Sequence, residues 1–541
     1  MIMKLLLLSS LEKIMKYEAP DDKGYRGFSM LNNEKKSFQL YIEADCDSVS
    51  LKVNSDFDCV NVYTVEYIPS EFAINKKTAD DYVISSEDGF YPDLLLPCDG
   101  DIQLENGKKT VWFEIEPKQA LEAGEHIIEI SVSNGDEKAS ATLTVEVIDC
   151  PLEKQSLIFT NWFHTDCLMD EYKVSAFSDE YWRIVKNYLK TAVRHGMNCV
   201  LTPLFTPPLD TQVFGERPTV QLVDVTVTKG KYSFNFDKLI KWIDMAFECG
   251  IEYFEMSHFF TQWGAKHAPK IVATVNGKQK KIFGWKTLAI SKKYRAFLTE
   301  FSAELKAFLE AHNLKDKVFI HVSDEPNKST YRTYVPASKL IHTLFDGYRI
   351  VDALSYFKLY ENGIVTDPIV ANDHIAPFIG KVRELWTYYC CGQDHDYVSN
   401  RYFSIPSQRN RVLGYQLYKF NAKGFLHWGF NFWYTRFSRK KINPYEVTDA
   451  GGSFQSGDSF VVYPKSDGTP LCSLRLKVFY DAFQDMMALQ TLEKLAGREA
   501  AIAVLEQGLD KELTFSQYPH SDEWLLETRE RINQAIKKSF A

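Results

Sequence analysis

The stretch KVFIHVSDEP, residues 317–326, decides how the second half of the chain is organised. Its apolar run is typical of a buried strand, and the run ends on two adjacent acids, Asp324 and Glu325. A parallel α/β enzyme keeps its catalytic residues where its strands end. Two like charges so close cannot both ionise freely, so the pKa of one must rise, as an acid and stabiliser pair requires. An equally strong alternative is that Asp324 caps a helix beginning at about Pro326.

Short apolar runs of this kind recur along the chain and alternate with helical patterns. Three segments, 181–196, 236–250 and 294–313, carry apolar residues at the three- and four-residue spacing of amphipathic helices. The alternation predicts a (β/α)8 barrel, whereas an open doubly wound sheet is disfavoured because no glycine-rich phosphate loop follows the first strand. The eight predicted strands are 156–163, 197–203, 251–257, 317–323, 349–355, 368–372, 383–390 and 423–433.

The residues ahead of the barrel have a different hydrophobic pattern, in which apolar and polar side chains alternate between about Ser37 and Asp149. This period of two is typical of half-buried antiparallel strands, separated here by turn signals such as Asn106-Gly107. We therefore predict three parts: an N-terminal β-sandwich over residues 1–150, the barrel over 151–480, and a helical C-terminal segment over 481–541 packed on the barrel.

Composition excludes several classes of function. The chain has 541 residues and a formal charge of −9, with no basic run interleaved with aromatics, so nucleic acid is excluded as a partner. The N-terminal leucine run is broken by charges at Glu12 and Lys13, too early for a signal peptide, and no segment is long enough to predict a membrane span. The ten cysteines lack paired spacing, which indicates a reducing, cytoplasmic location. Neither a metal nor a cofactor is predicted, because CxxC and HExxH motifs are missing.

The predicted strand ends collect aromatic, imidazole and amide side chains around the acid pair. Such a set suits a carbohydrate-binding pocket, since ring faces stack on sugars and amides or imidazoles bind hydroxyl groups. For any one of these residues, a structural role is about twice as probable as a functional one, because strand residues alternate between two faces. The candidates for substrate binding are His164, His258, Asn372, His374, Trp386, Tyr388, Trp428 and Trp433, and Trp162, Gln262, Trp263 and Asn431 also lie at strand ends.

The chain resembles glycoside hydrolase family 123, whose characterised members are β-N-acetylgalactosaminidases. The resemblance extends over nearly the whole chain and rests on five motifs: NWFH (161–164), HVSDEP (321–326), LWTYYCCG (385–392), GFLHWGFNFW (424–433) and GDSFVVYP (457–464). It implies retaining, substrate-assisted hydrolysis, in which the 2-acetamido oxygen of the sugar attacks the anomeric carbon and forms an oxazolinium ion. The expected substrate is a terminal β-linked N-acetylgalactosamine of a glycan or glycolipid oligosaccharide.

The same resemblance assigns roles to individual residues. It implies that Glu325 protonates the leaving oxygen and then activates water, while an ionised Asp324 orients the acetamido N–H and stabilises the developing positive charge. Tyr388 is the candidate for a hydroxyl near the acetamido oxygen, and Trp386, Trp428 or Trp433 for the pocket walls. His164, Asn372 and His374 are the candidates for hydrogen bonds to sugar hydroxyls.

Two other interpretations stay open. The first is a two-carboxylate glycosidase in which Glu325 pairs with a distant acid such as Asp373, and the second is a non-catalytic carbohydrate-binding protein on a barrel scaffold. Carboxyl separation and turnover distinguish them. The sequence does not determine the linkage or aglycone preference, the choice between N-acetylglucosamine and N-acetylgalactosamine apart from the resemblance, or the oligomeric state.

Overall fold

The structure is a computed structural model and describes residues 3–540. Two five-stranded sheets form the N-terminal part, with strand orders β1-β3-β8-β5-β6 and β2-β10-β9-β4-β7. Strands β2 and β10 pair parallel, while the other neighbours in these sheets pair antiparallel. The strands are β1 Lys4–Ser9, β2 Gly27–Leu31, β3 Lys36–Glu43, β4 Ser48–Ser55, β5 Val60–Ser70, β6 Gly89–Pro97, β7 Asp101–Gln103, β8 Lys108–Ile115, β9 Gly124–Asn134 and β10 Glu137–Ile148.

Alternating segments at 38–44, 49–53, 60–68, 110–116, 126–133 and 141–149 correspond to β3, β4, β5, β8, β9 and β10, but the alternation did not indicate β1, β2, β6 or β7. The leucines of β1 are buried on both faces of the strand. Leu6 and Leu8 pack against Tyr41 on one face, and Leu7 on the other face belongs to the apolar cluster that both sheets share. Strand β6 is likewise buried along five consecutive residues. A strand covered on both faces has no reason to alternate. The two sheets share one apolar cluster, and the description of this region as a β-sandwich stays a prediction.

Eight parallel strands close into a barrel in the order in which they occur along the chain. Each falls within or overlaps one of the eight predicted segments, so the predicted barrel is confirmed and the open doubly wound alternative is wrong. The last predicted strand was too long, because β22 ends at His427 and the residues that follow form a loop. The barrel strands are β11 Ile158–Asn161, β12 Cys199–Thr202, β15 Tyr253–Met256, β18 Val318–Ile320, β19 Arg349–Leu354, β20 Asp367–Ala371, β21 Trp386–Tyr388 and β22 Gly424–His427.

The three predicted helices are present as α2, α3 and α4, and α3 ends on Gly250 in the left-handed conformation. A four-stranded sheet of order β14-β13-β16-β17 is inserted after β12 and β15, and β23 pairs with β24. The helices are α1 Thr165–Tyr172, α2 Asp179–Arg194, α3 Asp237–Cys249, α4 Lys292–Ala311, α5 Tyr331–Leu344, α6 Phe357–Glu361, α7 Ser407–Arg411 and α8 Leu413–Lys419, and the additional strands are β13 Asp224–Thr228, β14 Lys231–Asn235, β16 Ile271–Val275, β17 Lys278–Phe283, β23 Val462–Pro464 and β24 Pro470–Cys472.

The C-terminal part is helical, as predicted, with α9 Leu474–Ala496, α10 Arg498–Leu505 and α11 Asp522–Phe540. Helix α9 runs through the boundary predicted at residue 480, and the division into three domains stays a prediction. All ten cysteines are free. Among residues 3–540, no helix is long and apolar enough to cross a membrane.

Candidate active site

The carboxyl ends of the barrel strands surround a cavity of about 260 Å³. The loops after β12, β15 and β22 complete its wall, and it contains three acids, Asp210, Asp324 and Glu325. The lining residues are Trp162, His164, Leu209, Asp210, Gln262, Trp263, Asp324, Glu325, Ala353, Tyr388, Cys390, Cys391, Leu426, Trp428, Phe432, Arg436 and Phe454. The cavity thus combines carboxylates with aromatic rings, as a sugar site requires.

Asp324 and Glu325 leave the end of β18 and both line the cavity, each partly exposed to it. The next helix, α5, begins at Tyr331 with Thr330 as its N-cap, so the alternative in which Asp324 caps a helix near Pro326 is wrong. Glu325 has a φ of 43°, in the left-handed region that non-glycine residues seldom occupy. Such a conformation costs about 1–3 kcal/mol and is typical of functional sites.

Glu325 has a direct partner across the barrel. The Tyr388 hydroxyl, at the end of β21, donates a hydrogen bond of 2.7 Å to Glu325 Oε1. Burial raises the pKa of Glu325, the bond from Tyr388 lowers it, and the charge of Asp373 raises it, with a net increase. Burial also raises the pKa of Asp324 well above its usual range, and Glu325, Asp352 and Glu255 add to this rise against the opposing effect of His321.

Both carboxyls are therefore easier to protonate than an ordinary acid. The hydrogen bond from Tyr388 stabilises the anion of Glu325. The sequence-based hypothesis of an ionised Asp324 beside a protonated Glu325 stays a prediction.

A buried charged cluster lies beneath the acid pair, inside the barrel. His321 contacts Glu255 through Nε2 and Asp352 through Nδ1, the latter at 3.2 Å. Burial alone would lower the pKa of His321, but Glu255 and Asp352 outweigh it and raise the value to about 10. Glu255 also accepts a 3.0 Å hydrogen bond from Trp162 Nε1 and so fixes one wall of the cavity. The sequence carried a signal for this cluster, since all three residues are charged or ionisable positions inside apolar strands.

Five of the ten residues singled out from the sequence line the cavity: Asp324, Glu325, Tyr388, Trp428 and His164. The imidazole of His164 is held on both sides, because Nε2 donates to the Trp428 carbonyl at 2.9 Å and Nδ1 accepts from Arg217 at 3.2 Å. Burial, with the charge of Arg217, lowers the pKa of His164 to about 3. His164 is therefore neutral, and its nitrogens hold the protein wall rather than a sugar hydroxyl.

The two other tryptophans nominated for the walls do not reach the cavity. Trp386 points into the barrel interior, where its ring lies 5.2 Å from that of Phe319 and fills the space beside Gly424. Trp433 follows the end of β22, and its buried ring packs edge-on to Tyr188 at 5.9 Å. The predicted strand covered residues 423–433, but β22 ends at His427. Trp433 therefore does not lie on a barrel strand, and strand geometry does not fix where its ring points.

Asn372, His374 and His258 also lie outside the cavity lining. Asn372 is buried and donates to the Ser399 carbonyl at 2.9 Å, while His374 faces outward beside Asp373 at 2.8 Å. His258 is buried behind the wall, with its ring 5.3 Å from that of Trp162. Residues 372–374 form a 3₁₀ turn after β20, so they no longer follow the strand geometry, which ends at Ala371.

Several lining residues were not nominated from the sequence. Trp162, Gln262 and Trp263 had been noted only as strand-end residues. Asp210, Arg436 and Phe454 belong to long loops after β12 and β22, and no local pattern marks them. The position of a binding residue on a loop depends on contacts with distant parts of the chain. The hydrophobic periodicity of the sequence therefore does not predict which loop residues line a cavity.

A family model described as glycoside hydrolase 123, catalytic domain, matches residues 162–492. The chain belongs to glycoside hydrolase family 123. This match confirms the resemblance found in the sequence, and the protein is a glycoside hydrolase. No curated protein gave a significant match.

One solved structure of a family 123 protein shares the fold of this chain. A family 123 glycoside hydrolase from Clostridium perfringens, analysed for the details of glycolipid glycan hydrolysis, is 15% identical, covers 99% of this chain and 98% of its own, and superposes with a TM-score of 0.74. A β-glucuronidase from Parabacteroides merdae is 12% identical, with 90% of this chain and 52% of its own covered and a TM-score of 0.29. A putative β-galactosidase from Bacteroides fragilis is 10% identical, with 83% and 58% covered and a TM-score of 0.32.

Asp373, the candidate distant acid of a two-carboxylate mechanism, does not line the cavity of this family 123 glycosidase. Its side chain is almost fully buried and accepts two 3.2 Å hydrogen bonds from Gln393 Nε2, with His374 at 2.8 Å on another side. Both carboxylate oxygens are thus engaged within the protein. This arrangement does not favour Asp373 as a nucleophile.

Proposed function

We propose that the protein is a retaining exo-glycosidase that removes terminal β-linked N-acetylgalactosamine from glycans or glycolipid oligosaccharides by substrate-assisted catalysis. The observation that carries the proposal is the pair Asp324 and Glu325, which open side by side into one cavity while Asp373 lies outside its lining. A mechanism without a distant protein nucleophile needs only such a pair.

The acetamido oxygen of the substrate attacks the anomeric carbon as Glu325 gives its proton to the leaving oxygen. Asp324 accepts a hydrogen bond from the acetamido N–H, which stabilises the aspartate anion and favours the proton on Glu325. Substrate binding would therefore establish the protonation state in which Glu325 acts as the acid. Water, activated by the same glutamate, then opens the oxazolinium ion with overall retention.

The size and walls of the cavity support action on a chain end. Its volume of about 260 Å³ lies below the ~300–1,000 Å³ of pockets for drug-sized ligands. Trp162 and Trp428 offer ring faces for a single sugar, and Tyr388, already bonded to Glu325, lies beside the reacting groups. A single enclosed sugar position favours exo cleavage.

Release of p-nitrophenol from its β-N-acetylgalactosaminide tests the proposal. We expect Glu325→Gln and Asp324→Asn each to lower kcat/KM by about 10²–10⁴-fold, the usual contribution of a positioned acid or base. Asp373→Asn tests the alternative mechanism, because loss of a nucleophile would abolish turnover, whereas the assisted mechanism loses only a charge that raises the pKa of Glu325 and should keep most of its kcat/KM. Circular dichroism verifies that all three variants fold.

Substrates with fluorinated acetamido groups identify the nucleophile. Each added fluorine withdraws charge from the acetamido oxygen, so kcat should fall steeply along the series if that oxygen attacks. Efficient cleavage of a plain β-galactoside, or a fluorosugar trapped covalently on the protein, would refute the assisted mechanism. Calorimetric sugar binding without turnover of any aryl hexosaminide would instead indicate a non-catalytic carbohydrate-binding protein.

A further inference from the structure

The third acid of the cavity, Asp210, has no role in the chemistry described so far. It lies in the loop after β12 and lines the cavity together with Gln262 and Trp263. Its φ is 36°, a left-handed conformation that costs a non-glycine residue about 1–3 kcal/mol. Contacts with the rest of the protein must therefore hold Asp210 in this strained conformation.

Three contacts from other loops hold Asp210 in place. Its backbone N–H donates to Gln262 Oε1, and its carbonyl accepts from Ser438 Oγ at 2.6 Å. One carboxylate oxygen, Oδ2, accepts from the Phe437 N–H at 2.7 Å. The loops after β12, β15 and β22 therefore meet at Asp210. Their contacts use one of its two carboxylate oxygens, Oδ2.

The remaining atoms of this group are unused by the protein. Within residues 3–540, Asp210 Oδ1 and Gln262 Nε2 have no hydrogen-bond partner, although both residues line the cavity. Because Gln262 Oε1 accepts from Asp210 N–H, the Gln262 amide is oriented with its NH₂ group as the free end. An anionic acceptor and a neutral donor thus lie side by side.

We infer that Asp210, assisted by Gln262, binds the axial C4 hydroxyl of the terminal sugar and thereby selects the galacto configuration. The inference rests on the proposed function and specifies its substrate. In a galacto sugar the C4 hydroxyl is axial, and it can donate to the carboxylate oxygen Oδ1 that the protein leaves free. An equatorial C4 hydroxyl points away from this acceptor and leaves a partly buried carboxylate unpaired, which is costly.

The charge state of Asp210 follows from its surroundings. Burial raises its pKa to about 6, against the lowering effects of the Phe437 N–H and of Arg217, Arg436 and Arg439. The carboxylate is therefore the acceptor above about pH 6 and is lost as an acceptor below it. This behaviour provides a second readout of the interaction.

A cycle that combines Asp210→Asn with a 4-deoxy substrate tests the inference. Asparagine keeps a carbonyl that can accept from Phe437 N–H, so the variant retains the loop contact and loses only the anionic acceptor. We expect the wild type to prefer p-nitrophenyl β-N-acetylgalactosaminide over its 4-deoxy analogue by roughly 10- to 100-fold in kcat/KM, as for a hydrogen bond to a charged group. Asp210→Asn should lose about the same factor on the parent sugar and almost none on the 4-deoxy sugar.

Asp136→Asn is the matched control, because it is the same substitution at an exposed position in the turn between β9 and β10. It should leave both kcat/KM values and the discrimination between the two sugars unchanged. In the wild type, the ratio of kcat/KM for the parent sugar to kcat/KM for the 4-deoxy sugar should fall as pH decreases through about 6. Titration of Asp324 and Glu325 affects both sugars and cancels from this ratio.

Equal losses on both sugars in Asp210→Asn would overturn the inference, as would a wild-type ratio of kcat/KM between the two sugars that stays constant through pH 6. A loss of kcat that azide restores would also overturn it, because it would make Asp210 a nucleophile. In each of these cases the wild type still cleaves the N-acetylgalactosaminide. If the wild type cleaves none of these glycosides, the proposed function itself fails and the inference fails with it.

Discussion

Asp458 supports a wall of the active site from within the protein. Its carboxylate is fully buried, and Oδ2 accepts a 2.9 Å hydrogen bond from Trp428 Nε1. Burial raises its pKa to about 7, although the bond from Trp428 and the charges of Arg401 and Arg475 lower it. A cavity-lining tryptophan is thus oriented by an acid that titrates near neutrality.

This raised pKa makes stability depend on pH. A carboxyl whose pKa is higher in the folded than in the unfolded state contributes stability that is fully present below about pH 4 and lost as pH rises to about 7. We expect Asp458→Asn, which keeps an acceptor for Trp428, to remove this term. Its Tm relative to wild type should become more favourable between pH 4.5 and 8 in thermal scans, and a constant difference would contradict the assignment.

One buried acid of helix α9 links this helix to α7 and α11. Asp485 accepts from Arg411 of α7 at 2.7 and 2.8 Å and from Arg529 of α11 at 2.8 Å. Arg529 also reaches Glu34, in the turn between β2 and β3, at 2.7 Å. All four side chains are buried, so each charge depends on its partners.

Removing Asp485 should therefore cost much more than removing a surface charge from the same helix. We expect Asp485→Ala to lower the free energy of unfolding by about 3–5 kcal/mol, because two guanidinium groups remain buried without their shared counterion. Lys494→Ala, which breaks an exposed pair with Glu153, should cost at most about 1 kcal/mol. Urea unfolding measures both, and equal losses would show that the buried network does not stabilise α9.

At the scale of the whole molecule, the N-terminal sheets and the barrel share a continuous core. Trp112 of β8 and Leu94 of β6 belong to the same apolar cluster as the barrel helices. Two buried ion pairs connect these sheets to α9: Arg475 with Asp93 at 2.7 Å and Lys477 with Glu114 at 2.9 Å. The barrel side of this contact would expose apolar surface and two cations if the sheets were removed.

A truncated chain of residues 151–541 should consequently fail to fold cooperatively. The expected outcome is aggregation, or a species that binds a hydrophobic dye and lacks the near-ultraviolet circular dichroism of the full chain. A soluble truncated chain with a sharp thermal transition and full glycosidase activity would contradict this expectation. It would also establish residue 150 as a boundary between independently folding units.

The sequence alone determined the barrel, because burial has a period of two in half-buried strands and of 3.6 in helices, and buried parallel strands appear as apolar runs between them. It also placed Asp324 and Glu325 after a barrel strand, and both line the cavity there, since residues at a barrel strand end have little freedom in where they point. Only the tertiary structure decided the rest of the site. Asp210 enters the cavity through contacts with Gln262 and Phe437, far away in the chain, while Trp433 leaves it because β22 ends at His427. Where a loop residue points, and what its pKa becomes, depends on neighbours that no local pattern encodes.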